Sequence, residues 1–308
     1  IYFQNLGQTV TVGGNYTGVA GSVIRLDTQL GDDNSPTDKL HVIGNTTGTT
    51  RLDVRNVGGK GAQTINGINV VQVDGISDAN SFTMAAPVQA GSYEYTLKQG
   101  SALDNNDWYL TSQYTTTTTP TTPNTPTTPS NPNNPVITPI NPTQPVKVVD
   151  IYRTGVPAYV VAQTANADAA FTQMSTLHQR ISEQRNTSTD KPQTWGRIIG
   201  AGQSNNGHDR FEYDQTTTGF QFGRDLLSTT NTAGKSQRAG VTLNYSHSSI
   251  DARDRVRPLV GLAQDTGSLG STAIGLGAYY TTIAKNGLYL DVVGQANHLT
   301  NKYRDSYG

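Results

Sequence analysis

The residues able to do chemistry are few and dispersed. Asp32, Asp33 and Asp38 fall in one loop, "LGDDNSPTD" (30–38), and carboxylates gathered in a turn are the hard oxygen donors a calcium ion takes. Acids at a turn equally serve as solvated turn formers, which is the reading adopted here. "GGKGA" (58–62) opens like a glycine-rich calcium-binding nonapeptide but lacks the Asp that follows, so its glycines read as turn residues. "DRFEYD" (209–214) gathers acids around Arg210. It could pair with a helix carrying Arg180 or Arg185, or form an exposed loop. Serine hydrolysis needs a nucleophile beside an oriented base. No G-x-S-x-G is present, and "GQSNNG" (202–207) misses the spacing. His41, His178, His208, His247 and His298 do not converge on one segment. The absence of cysteine excludes disulfides, thiolate zinc sites and thiol nucleophiles. No catalytic, cofactor-binding or metal-binding residue is therefore expected, and no enzyme. With 22 basic and 23 acidic residues, charge offers no argument for nucleic acid or an anionic membrane as partner.

The elements that carry these residues fall into regimes. Residues 1–113 hold short alternating runs, among them "SVIRLDT" (22–28), "KLHVIG" (39–44), "RLDVRN" (51–56) and "INVVQVDG" (68–75), punctuated by Gly, Asn and Asp. This is an all-β signature. A sandwich fits, and so does a β-helix in which each run is part of a rung; spacing alone does not separate them. In "IYFQN" (1–5), Ile1 and Phe3 alternate as a native rung would, although a protease-tag remnant is the alternative. Residues 114–145, "YTTTTTPTTPNTPTTPSNPNNPVITPINPTQP", offer almost nothing to bury. They predict an extended interdomain spacer, at ~3.1 Å per residue reaching on the order of 100 Å.

Residues 157–185 predict a single polar helix, with Pro157 at its start and Phe171, Met174, Leu177 and Ile181 at helical spacing. At about 28 residues it would be roughly 42 Å long, yet it is too polar to face lipid. No run reaches the roughly 18 apolar residues of a transmembrane helix. Residues 194–308 instead carry five longer strand patterns, of about 9–14 residues, with one apolar and one polar face. Val241, Leu243 and Tyr245 oppose Thr242, Asn244 and Ser246; Leu288, Leu290 and Val292 oppose Asp291, Gln295 and Asn297. That pattern describes an outer-membrane β-barrel, lipid outside and water inside.

The order of β region, Thr/Pro tract, polar helix and amphipathic strands resembles a type V secretion autotransporter. The stretch from "GNYTGVAGSVIRLDTQ" (14–29) through "INVVQVDG" (68–75), with "SFTMAAPVQAGSYEYTLKQG" (81–100) and "NDWYLTS" (106–112), is similar to the pertactin-like passenger C-terminus called the autochaperone. "YRTGVPAYVVAQ" (152–163), "LHQRISEQR" (177–185), "WGRIIG" (195–200), "RFEYDQTTTGFQFGRDL" (210–226) and "NGLYLDVV" (286–293) resemble the entry of the autotransporter β-domain.

The resemblance implies a fold of four parts. Residues 1–113 would form a right-handed parallel β-helix end, 114–150 a Thr/Pro linker, 151–190 a lumen-spanning α-helix, and 191–308 the first strands of an antiparallel outer-membrane barrel. Five strands fall short of the about eight that close a single-chain bacterial barrel, so closing strands and a C-terminal aromatic signal are expected elsewhere. Tyr93, Tyr95, Trp108 and Tyr109 are the candidate folding nucleus; Asp168, Arg180 and Arg185 are the candidate lumen-helix contacts; and His247 and His298 read as lumen or interface positions. Isolated Asn166 does not match the paired-Asn self-cleavage of some family members. The implied partners are outer-membrane lipid, the barrel-assembly machinery, periplasmic chaperones and an unidentified surface ligand of the passenger. The implied location is the outer membrane and surface of a Gram-negative bacterium. A β-helical adhesive module and a β-helical polysaccharide enzyme are the alternatives.

Overall fold

Alternating runs of three to seven residues cannot bury their inward side chains within one strand pair; they need equivalent runs stacked above and below. The computed structural model describes residues 1, 3–117, 146–181, 191–206 and 210–306 and shows where that stacking occurs. The chain divides into two units, Ile1–Arg153 and Thr154–Gly308.

In the first unit, β1 (Thr9–Val12), β4 (Lys39–Val42) and β7 (Ile68–Val73) form one parallel ladder. A second joins β2 (Tyr16–Gly18) to β5 (Thr46–Gly48), and a third joins β3 (Val23–Thr28), β6 (Thr50–Asn56) and β8 (Phe82–Met84). Parallel pairing is not the antiparallel pairing of a sandwich. Ile24 and Leu26, Leu40 and Val42, Leu52 and Val54, and Val71 and Val73 all point into one core. Phe82 stacks on Tyr16 and meets Trp108 edge-on. Ile1 continues the β3 edge, its carbonyl accepting from the Arg25 N–H at 3.2 Å, and Phe3 packs against the core.

Past these ladders the pairing turns antiparallel: β9 (Val88–Ala90) with β10 (Tyr93–Gln99), β10 with β11 (Trp108–Thr111), and β11 with β7. β12 (Gln113–Thr117) then pairs antiparallel with β13 (Val146–Asp150). The two ends of the expected spacer are therefore strands paired with each other inside the first unit; residues 118–145 lie outside the described residues. The first unit ends at Arg153, not at residue 113.

The second unit opens with α1 (Gly155–Gln173) and α2 (Leu177–Ile181). The single long helix expected over 157–185 is therefore broken. Met174 is extended, with ψ 120°, and Thr176 and Gln179 exchange the reciprocal bonds of a capping box: Thr176 N–H to Gln179 Oε1 at 2.9 Å and Gln179 N–H to Thr176 Oγ1 at 3.4 Å. Residues 182–190 lie outside the described residues. The expected stripe is split: Phe171 is 71% exposed, whereas Leu177, in α2, is buried. The face that packs is Ala158, Val161, Ala162 and Ala165, against Tyr213, Ile250, Ala252 and Leu269.

Five antiparallel strands follow in sequence order: β14 (Thr194–Asn205), β15 (Phe211–Thr230), β16 (Ser236–Asp254), β17 (Asp265–Ile283) and β18 (Tyr289–Asp305). Four of them run 17 to 20 residues, longer than their apolar patterns suggested. The reason is that Ser-, Thr- and Asp-rich ends such as "SHSSIDARD" keep the ladder register past the apolar band. Their polarity is inverted relative to a water-soluble sheet. Val241, Leu243 and Tyr245 are exposed, whereas Thr242, Asn244, Ser246 and Ser248 are buried on the side that receives α1.

Candidate functional site: a helix held on the polar face of a sheet

The buried face of α1 is mostly alanine, so the backbone comes close to the sheet and polar side chains from both elements meet. Asp168 accepts from the Tyr213 hydroxyl at 2.5 Å and from Gln203 Nε2 at 2.9 Å. Asn166 Oδ1 accepts from the Ser271 hydroxyl at 2.7 Å, and the Ala165 carbonyl accepts from Gln215 Nε2 at 3.0 Å. Near the start of α1, Tyr159 stacks on Tyr303 with centroids 4.1 Å apart, and the Thr154 hydroxyl donates to Asp305. At its end, Gln173 donates to the Ser246 hydroxyl at 2.6 Å and accepts from Asn244 Nδ2 at 2.6 Å.

The second cluster surrounds α2. Arg180, buried, is paired with Asp291. Its guanidinium donates to the Ser175 carbonyl at 2.7 Å and lies 4.8 Å from the Tyr279 ring centroid. The Tyr279 hydroxyl donates to Asp225 at 2.5 Å and accepts from Trp195 Nε1 at 3.2 Å, and Arg238 approaches Asp225 at 3.4 Å. Arg197 ties the two helices to β14, donating to the Gln173 carbonyl at 2.6 Å and to Gln179 Oε1 at 3.0 Å. Asp225, Tyr279 and Arg197 were not singled out from sequence, and Asp291 was read only as a polar-face residue of its strand. The available signal was their inward parity on amphipathic strands.

Several sequence expectations take a different form. Arg180 does not pair with the acids of "DRFEYD": Asp214 pairs with Arg253 at 2.8 Å, and Glu212 pairs with Arg255. Tyr213 of that stretch reaches the helix instead, through Asp168. Arg185, His208 and Asp209 lie outside the described residues. His247, bonded to Thr272 at 3.1 Å, is exposed, and His298 stands beside exposed Ile274, so both lie on the face away from α1 rather than inside. The loop acids are not all solvated. Asp38 is fully buried and accepts from the N–H groups of Gln8 at 3.1 Å and Asp27 at 2.9 Å. Asp33 accepts from the N–H groups of Ile65, Asn66 and Gly67. Among the described residues no cluster of three or more acids and histidines could hold a metal ion.

In the first unit the four aromatic candidates sit where the parallel ladders give way to antiparallel ones. Trp108 is buried and donates through Nε1 to the Ser77 hydroxyl at 2.8 Å. Tyr109 is buried, its hydroxyl 3.3 Å from Asp107. The Tyr95 hydroxyl donates to the Gly31 carbonyl at 2.8 Å, and burial pushes its pKa above the ordinary tyrosine value. Tyr93 lies 6.0 Å from the Tyr152 ring. A repeat not singled out in the sequence reading orders one of the parallel ladders. "GNYTG" (14–18) and "GNTTG" (44–48) stack, so that Asn15 Oδ1 accepts from the Asn45 N–H at 2.9 Å and Asn45 Oδ1 accepts from the Ile76 N–H at 2.8 Å. Gly48, at φ +74°, lies so near the Gly18 carbonyl that a Cβ would fall 2.0 Å from its oxygen.

Two family models match this architecture: Autochaperone Domain Type 1 over residues 2–97 and Autotransporter beta-domain over residues 194–308. The chain belongs to the autotransporters. It is 34% identical over 298 residues to YdeU of Escherichia coli K12, covering 92% of this chain and 59% of that one. It is 48% identical over 116 residues to the autotransporter adhesin AIDA-I of Escherichia coli, covering 37% of this chain and 9% of that one. The adhesin BmaC autotransporter of Brucella suis biovar 1 is 31% identical over 316 residues, covering 94% of this chain and 8% of its own length. The chain thus spans from about three-fifths to less than a tenth of the length of these relatives.

Proposed function

We propose that this chain is a non-enzymatic secretion segment: the start of an outer-membrane translocator joined to the folding nucleus of an exported surface protein. The observation that carries it is the inverted sheet, apolar outside and polar inside, with a helix on the polar side. Water would not select exposed Leu243, Leu276 and Val292 over buried Asn244; lipid would. β14–β18 are the first strands of a barrel and α1–α2 lie in its lumen. Short turns at 231–235 and 284–288 mark the periplasmic side and the longer connection at 255–264 the outer side. The start of α1, bonded to Asp305, then faces outward, and Arg180, bonded to Asp291, faces inward.

The parallel ladders are the coils of a right-handed β-helix. Stacking coil on coil outside the cell favours outward movement, because each finished coil presents an edge for the next. Partners on this reading are outer-membrane lipid, the barrel-assembly machinery and periplasmic chaperones. The passenger is an adhesin on a Gram-negative cell, a reading favoured by relatives that carry that name. An enzyme acting on polysaccharide would need acids converging on one coil face. Instead, Arg25 pairs with Asp53 at 2.8 Å and Arg55 with Asp27 at 2.7 Å.

The test is fractionation of Gram-negative cells producing the protein, with trypsin added to intact cells. Outer-membrane recovery and a surface-exposed, trypsin-resistant first unit are expected. Recovery in the soluble periplasmic fraction would overturn the reading. Leu243→Arg on the outward face is expected to cost about 2–4 kcal/mol if that face meets the bilayer midplane, measured as loss from the outer-membrane fraction, while Thr242→Ser on the inward face is recovered as wild type.

A further inference from the structure

The two strands that flank residues 118–145 grip each other and the rest of the first unit. β12 and β13 pair from Gln113↔Asp150 to Thr117↔Val146. The chain beyond β13 is then bonded on both edges. The Ile151 N–H donates to the Ser112 carbonyl at 2.7 Å, the Glu94 N–H donates to the Ile151 carbonyl at 2.9 Å, and the Arg153 N–H donates to the Ser92 carbonyl at 3.0 Å. Between these bonds the side chains alternate in role. Ile151 is fully buried. The Asp150 carboxylate accepts from Gln63 Nε2 at 3.0 Å, Gln113 Nε2 at 2.9 Å and the Tyr152 hydroxyl at 3.1 Å. The Tyr152 ring lies against Tyr93. Every one of these partners outside the strand itself precedes the tract in sequence.

We propose that residues 1–117 form a strand-accepting site whose ligand is the extended segment Val146–Arg153, and that this site holds the chain together when the covalent path through residues 118–145 is cut. The site fits an extended peptide carrying a carboxylate, an aliphatic side chain and an aromatic ring in succession, here Asp150, Ile151 and Tyr152. The carboxylate answers two amides, the aliphatic group is fully buried, the ring packs on Tyr93, and both backbone edges are bonded. This is recognition by strand addition, with main-chain bonds supplying affinity and side-chain pockets supplying specificity. On the secretion reading above, a passenger nicked within the tract stays attached to its translocator; the pairing itself does not depend on that reading.

The test replaces residues 128–134 in the full chain with the recognition sequence of a site-specific protease. The purified, detergent-held protein is cut, cleavage is scored on a denaturing gel, and the sample is passed over a size-exclusion column under native conditions. The two pieces are expected to co-elute. Ile151→Asn is expected to elute as wild type before cutting and to release the upstream piece after it. Should that variant fail to fold, the Asp150→Ala/Tyr152→Ala pair serves, with dissociation after cutting about tenfold faster or more. Separation of the cut wild-type pieces overturns the proposal, as does retention in the weakened variants equal to wild type. Failure of the protease to cut overturns it too, because strands paired at Thr117↔Val146 leave the inserted site outside the ladder. Release in detergent counts against the strand site whether or not the protein reaches the cell surface.

Discussion

Asp33 and Asp38 show how a residue's surroundings decide its role. Each was a conceivable calcium ligand, and each instead accepts from backbone N–H groups of distant segments. Charges on the surface of the β3–β6 ladder specify register in the same way. Arg25 faces Asp53 while Asp27 faces Arg55, so a two-residue slip of β3 against β6 would bring like charges together. These pairs are substantially exposed, so Asp53→Arg is expected to cost no more than about 1 kcal/mol, recovered in Arg25→Asp/Asp53→Arg and read by urea unfolding of the first unit. Trp108 is different, being buried between Phe82 and Ser77. Trp108→Ala is expected to cost about 3–5 kcal/mol and to make the exported first unit trypsin-sensitive; unchanged resistance would refute its place in the folding nucleus. Tyr95 adds a pH dependence. Its raised pKa means the folded state holds the phenol proton more tightly than the unfolded chain. That contribution is complete below the unfolded value, about 10, and is lost as pH rises through the folded value. The urea midpoint of the first unit should therefore fall above pH 10, and fall less steeply in Tyr95→Phe.

At the scale of elements, the break between α1 and α2 lets the chain present two different faces to the sheet. A continuous helix would carry Arg180 on with the rotation of α1; the extended Met174 resets it, and the capping box at Thr176 restarts the helix. Arg180 thereby reaches Asp291 inside the sheet. Because both groups are largely removed from water, Arg180→Ala is expected to cost on the order of 3–5 kcal/mol by leaving Asp291 unpaired. Arg180→Met/Asp291→Leu should recover much of that, as measured by thermal unfolding of the detergent-held second unit. A double variant no more stable than Arg180→Ala would argue that the pair is not the anchor. The β12–β13 ladder bears on a second element. Replacing residues 118–145 by an Asn-Gly turn should leave the trypsin resistance of the first unit unchanged, since two adjacent antiparallel strands need only two residues to connect them. A true interdomain spacer would not tolerate that loss of reach.

For the whole molecule, the two units solve the burial problem in opposite ways. The first hides aliphatic side chains between parallel ladders. The second hides amides, hydroxyls and ion pairs on one side of a sheet and leaves aliphatic and aromatic groups on the other. The connection between them is short: the last strand bonds reach Arg153, and α1 begins at Gly155.

The alternation of Val241, Leu243 and Tyr245 against Thr242, Asn244 and Ser246 made the amphipathic strands legible from sequence, because strand periodicity is local and needs no partner. The same holds for the short runs of residues 1–113. Sequence also carried signals that went unused, the "GNYTG"/"GNTTG" repeat and the Thr176–Gln179 capping box. Pairing was not local. Whether "VIRLD" stacks parallel on "RLDVR", whether Arg180 meets Asp214 or Asp291, and whether the strands flanking the Thr/Pro tract pair with each other all depend on contacts between residues far apart in the chain. Each such contact exists only after the intervening loop has closed, and a side chain's spacing along the chain does not record where that closure brings it. Residue types and periodicity thus determined the strands and the face each one buries, but neither the break between α1 and α2 nor the alanine face that α1 packs. Tertiary structure decided the ladders, the ion-pair partners and the pairing of the strands that flank the tract.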